Sequence, residues 1–284
     1  MSSPRTPTAR MTARFRRNRL AVAALVVLGV IHLIVALAPW IAPRDPEAVD
    51  LGNKLRRPSP TYWLGTDEYG RDVLTRLLYG GRVSLAVGLT SMLASMVLGV
   101  AVGAVAGYAG GLTDVLLMRV TDGMLSVPLF FIALMALAML GATMLNLVAV
   151  IALSSWMTVA RVVRAEVLRT RELEFVQAAR AIGAHSLRIV WRHVVPQSIP
   201  SITVAATLGV AYAVLLETSL SFLGLGVQPP AASWGNMLSG ARSYLRTEPG
   251  LAVFPGVMIF ITVLCYNWFG DGLRDAIDPT LAER

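Results

Sequence analysis

The sequence predicts an all-α integral membrane protein that crosses the bilayer about six times. Three observations lead there. The 284 residues are 55% hydrophobic and only 15% charged, against about 25% charged in an ordinary soluble domain, and the mean hydropathy is +0.63. Long apolar runs recur along the chain, separated by proline, glycine and charge. Arginine is concentrated in two stretches that a positive-inside orientation places on one side of the membrane.

A spanning helix needs about 20 mostly apolar residues. Residues 20–41 form the first such run, ended by Pro39 and Pro43. It follows a basic start but is too long for the core of a cleaved signal peptide, so a retained span is expected. Residues 84–108 form the second. There Gly99, Gly103 and Gly107 repeat every four residues, a spacing that lets helix backbones pack closely in lipid. Residues 127–141 and 145–160 are shorter and must meet in a tight joint near Asn146. Residues 201–223 and 251–269 complete the set.

The segment 161–197 is polar and helical in pattern, with Arg161, Arg164, Arg169, Arg171, Arg180, Arg188 and Arg192 against Glu166, Glu172 and Glu174. The N-terminal tail carries Arg5, Arg10, Arg14, Arg16, Arg17 and Arg19 and no acid. Both stretches are therefore expected in the cytoplasm. Six crossings then put both termini inside and the loops 44–82 and 224–250 outside. The chain divides into 1–82 (basic tail, first span, external segment) and 83–284 (a five-helix core with the basic loop). The first dozen residues, rich in Ser, Thr, Pro and Arg, have the composition of a disordered tail.

The net charge of +8 fits this orientation and contact with anionic lipid headgroups. It does not indicate nucleic acid, because the aromatics sit in apolar runs rather than among the basic residues. The single cysteine, Cys265, cannot form an internal disulfide. His32, His185 and His193 show no metal-ligand spacing, and His32 is expected to be a packed, hydrogen-bonded residue of the first span. No phosphate-binding Gly-x-x-x-x-Gly-Lys-Ser/Thr run is present, so any ATP chemistry belongs to another polypeptide. No Gly-x-Ser-x-Gly elbow is present either. Gly270-Asp271 lacks the glycine that an intramembrane aspartyl protease needs where Trp268 stands. A secondary transporter would use buried acids near the midplane, and only Glu217 is available. Glu217 is expected to bond groups of the loop at Gly224 rather than cargo. In the external segment, Thr66, Asp67, Glu68, Arg71 and Asp72 form a charged cluster. Helix capping by Thr66 or Asp67 accounts for part of it, and docking of a partner is the other reading.

The most informative stretch is 174–196. Phe175, Ala178, Ala179 and Ile182 fall at helical spacing on one face. The two alanines make that face flat enough for close approach by another protein. Gly183 suits the left-handed position after a helix end. A second short helix, 186–194, then meets Pro196, which is expected to stop it. These residues alone fit both a platform that receives a partner and a surface loop packed on its own bundle.

The same stretch resembles the EAA loop of bacterial ABC importer permeases. Gln177, Ala178, Ala179, Gly183 and Pro196 stand at the family's spacing. Three positions depart from it: Gln177 for the acid, His193 for an aliphatic residue and Val195 for Leu. Glu174 lies one turn earlier on the helix. Further stretches are similar to the dipeptide/oligopeptide/nickel branch, and to its DppC/OppC-like subunit: residues 15–20, Leu64 to Asp72, 217–230, Ser233-Trp234-Gly235, Asn267, 270–275 and Asp278-Pro279. The resemblance implies a type I importer fold in the bacterial cytoplasmic membrane. It implies a heterodimer with a second homologous permease, two cytoplasmic ATPase subunits or domains that hold ATP and Mg, and an extracytoplasmic solute-binding protein. No cofactor is expected in this chain. The implied cargo is short peptides, with nickel or another small solute as the alternative. The implied coupling residues are Glu174, Phe175, Gln177, Ala178, Ala179, Ile182 and Gly183.

Overall fold

The computed structural model describes residues 7–277. Apart from an isolated bridge between Thr66 and Asp72, every regular element among them is helical. Helix α1 spans Pro7–Arg17, so residues 7–12 are helical where disorder was expected; residues 1–6 lie outside the described residues, as do Asp278 and Pro279. Asn18 then breaks the chain and caps α2, Arg19–Ala36, its side chain accepting from the Ala21 amide. The turn α3, Ala38–Ile41, ends that span. α2 buries one stripe, Ala21, Ala24, Leu28, Ile31 and Val35, and leaves its other face apolar and exposed. That is the pattern of a peripheral helix with lipid on one side.

Helix α4 covers Val73–Ala109. At about 1.5 Å per residue its 37 residues run to roughly 55 Å, more than the ~30 Å hydrocarbon core. It therefore begins inside the stretch 44–82 that was expected to be an external loop, and passes unbroken through residues 82–83. Asp72 caps it, accepting from both the amide and hydroxyl of Thr75. This corrects the expectation of Thr66 or Asp67 as cap. Asp67 instead accepts from the Tyr69 and Arg71 amides and the Arg71 guanidinium, closing the preceding turn.

The third span differs from its sequence reading. The chain forms α5, Gly111–Leu125, and α6, Leu129–Leu140, which bend by 82° at the intervening residues. Pro128 has no amide proton and disfavours helical backbone at Val127, and the Ser126 hydroxyl donates back to the Gly123 carbonyl. α6 alone is about 18 Å long, too short to cross. The described residues thus hold five helices long and apolar enough to span, or six if the bent pair counts as one. The joint after α6 is tight as expected: the Asn146 side-chain amide donates to the carbonyls of Leu140 and Gly141.

α7 runs Met144–Thr170, ten residues beyond the end read from hydropathy. Two arginines in that extension find acids on α5. Arg164 makes a bidentate pair with Asp114, and Arg161 pairs with Asp122. Two short helices follow, α8 (Glu174–Ala181) and α9 (Ser186–Ile189), then a π-helical turn at Val190–Val194. Pro196 does not stop this run. It sits in the first turn of α10, Val195–Phe222, where its missing amide leaves no bond unmade, and the π turn leads into it. α11 (Trp234–Ala241) and α12 (Gly250–Ile277) complete the fold.

α10 is central and packs on α4, α7 and α12, while α2 lies outside α12. The longest contact is between α4 and α7. A Cβ at Gly103 would sit 2.4 Å from the Ala160 carbonyl oxygen, and Gly99 and Gly107 meet Val159 and Val167 almost as closely. The four-residue glycine repeat is the seam along which these two backbones touch.

Candidate functional site

α8 projects from the bundle end formed by the C-termini of α4 and α7 and the start of α10. Val176 is fully buried and belongs to one core cluster with Val163, Val167, Ile189, Val190 and Val194. Burying a valine contributes about 1.5–3 kcal/mol, enough to seat an eight-residue helix that would not persist alone. On a helical wheel Val176 fixes what faces outward. Phe175, Ala178 and Ile182 are exposed, Ile182 at 86%, while Ala179 is half-buried and packs against the core.

The end of α8 is locked by its backbone. Gly183 has φ +79°; its amide donates to the Arg180 carbonyl, and the Ala184 amide donates to Ala179. This pair of bonds is a Schellman termination, with glycine at the left-handed position. Side chains hold the start. Gln177 donates to the Glu172 carbonyl, so the residue that departs from the EAA acid clamps its own segment. Arg171 donates to the Gly107 carbonyl at 2.7 Å, tying the end of α7 to the end of α4. Arg180 lies over the Tyr108 ring at 5.5 Å. Glu174 is exposed in the first turn of α8, where a carboxylate is favoured by the helix dipole.

At the opposite end of α10, Glu217 is fully buried. Ser84 donates to its Oε2 at 2.8 Å and Ser221 to its Oε1 at 2.6 Å. Ser84 accepts in turn from the Trp234 amide, and Ser221 from the Val227 amide. The carboxylate therefore reaches the loop after Gly224 through Ser221, and the start of α11 through Ser84, rather than directly. It joins α4, α10 and α11.

Among the described residues no group of three or more His, Cys, Asp or Glu side chains could hold a metal ion. What the architecture offers is a helical bundle with a stiffly mounted, partly apolar helix at one end. Residues 99–283 match the family model for the binding-protein-dependent transport system inner membrane component. The chain belongs to that family. Residues 6–58 of this transport component also match the N-terminal TM domain of oligopeptide transport permease C.

This family member is 39% identical to the dipeptide transport system permease protein DppC of Alkalihalophilus pseudofirmus, over 94% of the chain and 88% of that protein. It is 40% identical to the glutathione transport system permease protein GsiD of Pectobacterium atrosepticum, over 98% and 93%. In fold it is similar to a chain of the MetNI methionine ABC transporter in an inward-facing conformation, with TM-score 0.56 and 18% identity, over 71% of this chain and 96% of that one.

Sequence reasoning singled out the residues of α8 that face outward but missed the ones that mount it. Arg171 and the Arg164–Asp114 pair carry no signal of their mounting role in the sequence. The clue available was Val176 as an apolar residue off the chosen stripe.

Proposed function

We propose that this chain is the non-catalytic permease subunit of an ATP-driven, binding-protein-dependent importer of short peptides in the bacterial cytoplasmic membrane. It acts with a second homologous permease subunit, two cytoplasmic ATPase subunits or domains that hold ATP and Mg, and an extracytoplasmic solute-binding protein. Both termini and α8 face the cytoplasm.

The observation that carries this reading is the exposed apolar face of Phe175, Ala178 and Ile182 on a helix fixed at both ends. A surface of that kind gains by being covered. A rigid mount lets a push on it travel. Val176 shares its core cluster with Ile189, Val190 and Val194, which lead without a break into α10. Movement of α8 under the closing ATPases would therefore tilt α10 relative to α4 and alternate access across the bundle. Glu174, Gln177, Ala179 and Gly183 support this by position: an acid and an amide beside the docking face, a half-buried alanine beneath it, and the glycine that sets its end. Peptide cargo rests on the names of the dipeptide and glutathione relatives, both of whose cargoes are short peptides.

The test is reconstitution. Vesicles holding this chain with its partner permease, ATPases and binding protein are expected to take up a labelled dipeptide only with ATP, while the chain purified alone binds no labelled ATP. A thiol placed at Thr12 should react only from the cytoplasmic side. ATP-independent uptake by this chain alone, or nickel uptake without peptide uptake, would overturn the corresponding part.

A further inference from the structure

A cavity of about 820 Å³ opens between α4, α7, α10 and α12. Its walls follow a pattern. On α7 the lining residues Ser155, Thr158, Val162 and Glu166 recur every three or four positions, so they form one stripe. On α10 the stripe is Ser201, Ala205, Gly209 and Tyr212. The two stripes begin together at the α8 end, where the Ser201 hydroxyl donates to Glu166 at 2.7 Å. Arg169 donates to the other Glu166 oxygen at 2.8 Å, and Arg274 of α12 lines the same mouth. From Ser201 to Tyr212 the cavity climbs roughly 16 Å along α10 at ~1.5 Å per residue, about half the ~30 Å hydrocarbon core. At the other end of α10, Ser84, Ser221 and Glu217 tie α4 to α10.

Two features distinguish this cavity from an apolar packing defect. Its rim is charged, with an acid and a guanidinium. Within it, the hydroxyls of Thr158 and Tyr212 have no hydrogen-bond partner among the described residues, although both residues line the space. Both residues are exposed to this space, Tyr212 at 41%, so their hydroxyls on facing stripes are open to a solute that enters it.

We infer that this cavity is the cytoplasmic half of the cargo route through this subunit, and that Thr158 and Tyr212 are its cargo-facing hydrogen-bonding residues. The inference rests on the importer reading above and adds to it the residues that peptides meet. A short peptide offers amide donors and acceptors along its length, which one hydroxyl on each wall can bond in passing. The volume falls in the ~300–1,000 Å³ range of small-molecule sites. One hydroxyl on each wall above the charged rim gives weak contacts, as release to the cytoplasm requires.

The experiment uses the complete transporter in proteoliposomes whose lumen is the cytoplasmic side, with Thr158→Cys and Tyr212→Cys made separately, a hydrophilic methanethiosulfonate and then ATP enclosed in the lumen, and the binding protein and labelled dipeptide outside. Both thiols are expected to react, and reaction should abolish dipeptide uptake while ATP hydrolysis persists. The unlabelled Thr158→Val and Tyr212→Phe variants should assemble normally and transport dipeptide several-fold less well. Labelling without loss of uptake would overturn the inference. So would thiols that react in the isolated subunit but not in the assembled transporter, since the partner permease then fills the space. Failure of the unmodified transporter to import any peptide would instead count against the importer reading, so the two failures are distinct.

Discussion

Ser84 of α4 donates a 2.8 Å hydrogen bond to Glu217 of α10 across 133 residues of sequence. That bond sits in a chain of donors running from the Trp234 amide through Ser84 to one carboxylate oxygen, and from the Val227 amide through Ser221 to the other. Both carboxylate oxygens accept, and both hydroxyl oxygens are already acceptors from a backbone amide.

Glu217→Gln replaces one of those accepting oxygens with a donor that faces a hydroxyl hydrogen. A buried polar group left mismatched costs about 1–3 kcal/mol. The variant is expected to lose thermal stability in detergent and to assemble less well, and uptake of different peptides should fall in equal proportion. Normal stability with an altered choice of cargo would show that Glu217 contacts cargo instead.

The α4–α7 seam gives a contrast between two glycines. A Cβ at Gly103 would meet a backbone oxygen at 2.4 Å, whereas one at Gly123 of α5 meets nothing within 4 Å. Gly103→Val is expected to separate the helices and to reduce the yield of folded protein sharply. Gly123→Ala should be neutral, or stabilising by up to about 0.5–1 kcal/mol, as alanine replaces a glycine in the last turn of α5. Size-exclusion profiles and melting midpoints of the two variants measure the difference. Equal tolerance at both sites would mean that the seam is not close-packed.

His32 and Tyr266 hold α2 to α12. His32 Nδ1 lies 2.8 Å from the Leu28 carbonyl and must donate to it, so Nε2 accepts from the Tyr266 hydroxyl at 3.0 Å. Tyr266→Phe should therefore cost about 1 kcal/mol and loosen α2, read as faster proteolysis at the Asn18 break. Unchanged proteolysis would show that the pair does not anchor α2.

Much of this molecule could be read from its sequence, and the misses share a cause. Apolar runs and arginine bias marked the spans because bilayer thickness and backbone satisfaction leave few alternatives. The glycine repeat at Gly99, Gly103 and Gly107 announced a close seam, but not that α7 is the partner. Hydropathy ended the fourth span at Ala160, although the helix continues to Thr170, because Arg161 and Arg164 find acids on α5. Composition cannot show such pairing. Pro196 read as a stop, and a π turn placed it at a helix start. Within α8, periodicity grouped Ala179 with Phe175, Ala178 and Ile182. The docking of Val176 turns that alanine toward the body and the other three outward.

That orientation sharpens the coupling prediction. Gly183 has φ +79°, and a Cβ there meets nothing within 4 Å, so substitution strains only the backbone. A β-branched side chain in left-handed backbone costs roughly 1–2 kcal/mol, whereas asparagine tolerates it far better. Gly183→Val is expected to undo the Schellman turn that ends α8, and Gly183→Asn to preserve it. Ala178→Asp probes the exposed face directly, by placing a charge between Phe175 and Ile182. Positions 183 and 178 lie outside the spans, so in Gly183→Val and Ala178→Asp the chain should still insert and the bundle should keep its melting midpoint. Both variants should weaken co-purification of the ATPase subunits and lower ATP-driven uptake together, while Gly183→Asn retains most of each. Full attachment and full uptake in Gly183→Val and Ala178→Asp would make α8 a surface loop with no part in coupling. Lost insertion would mean that α8 is integral to the packing of the bundle.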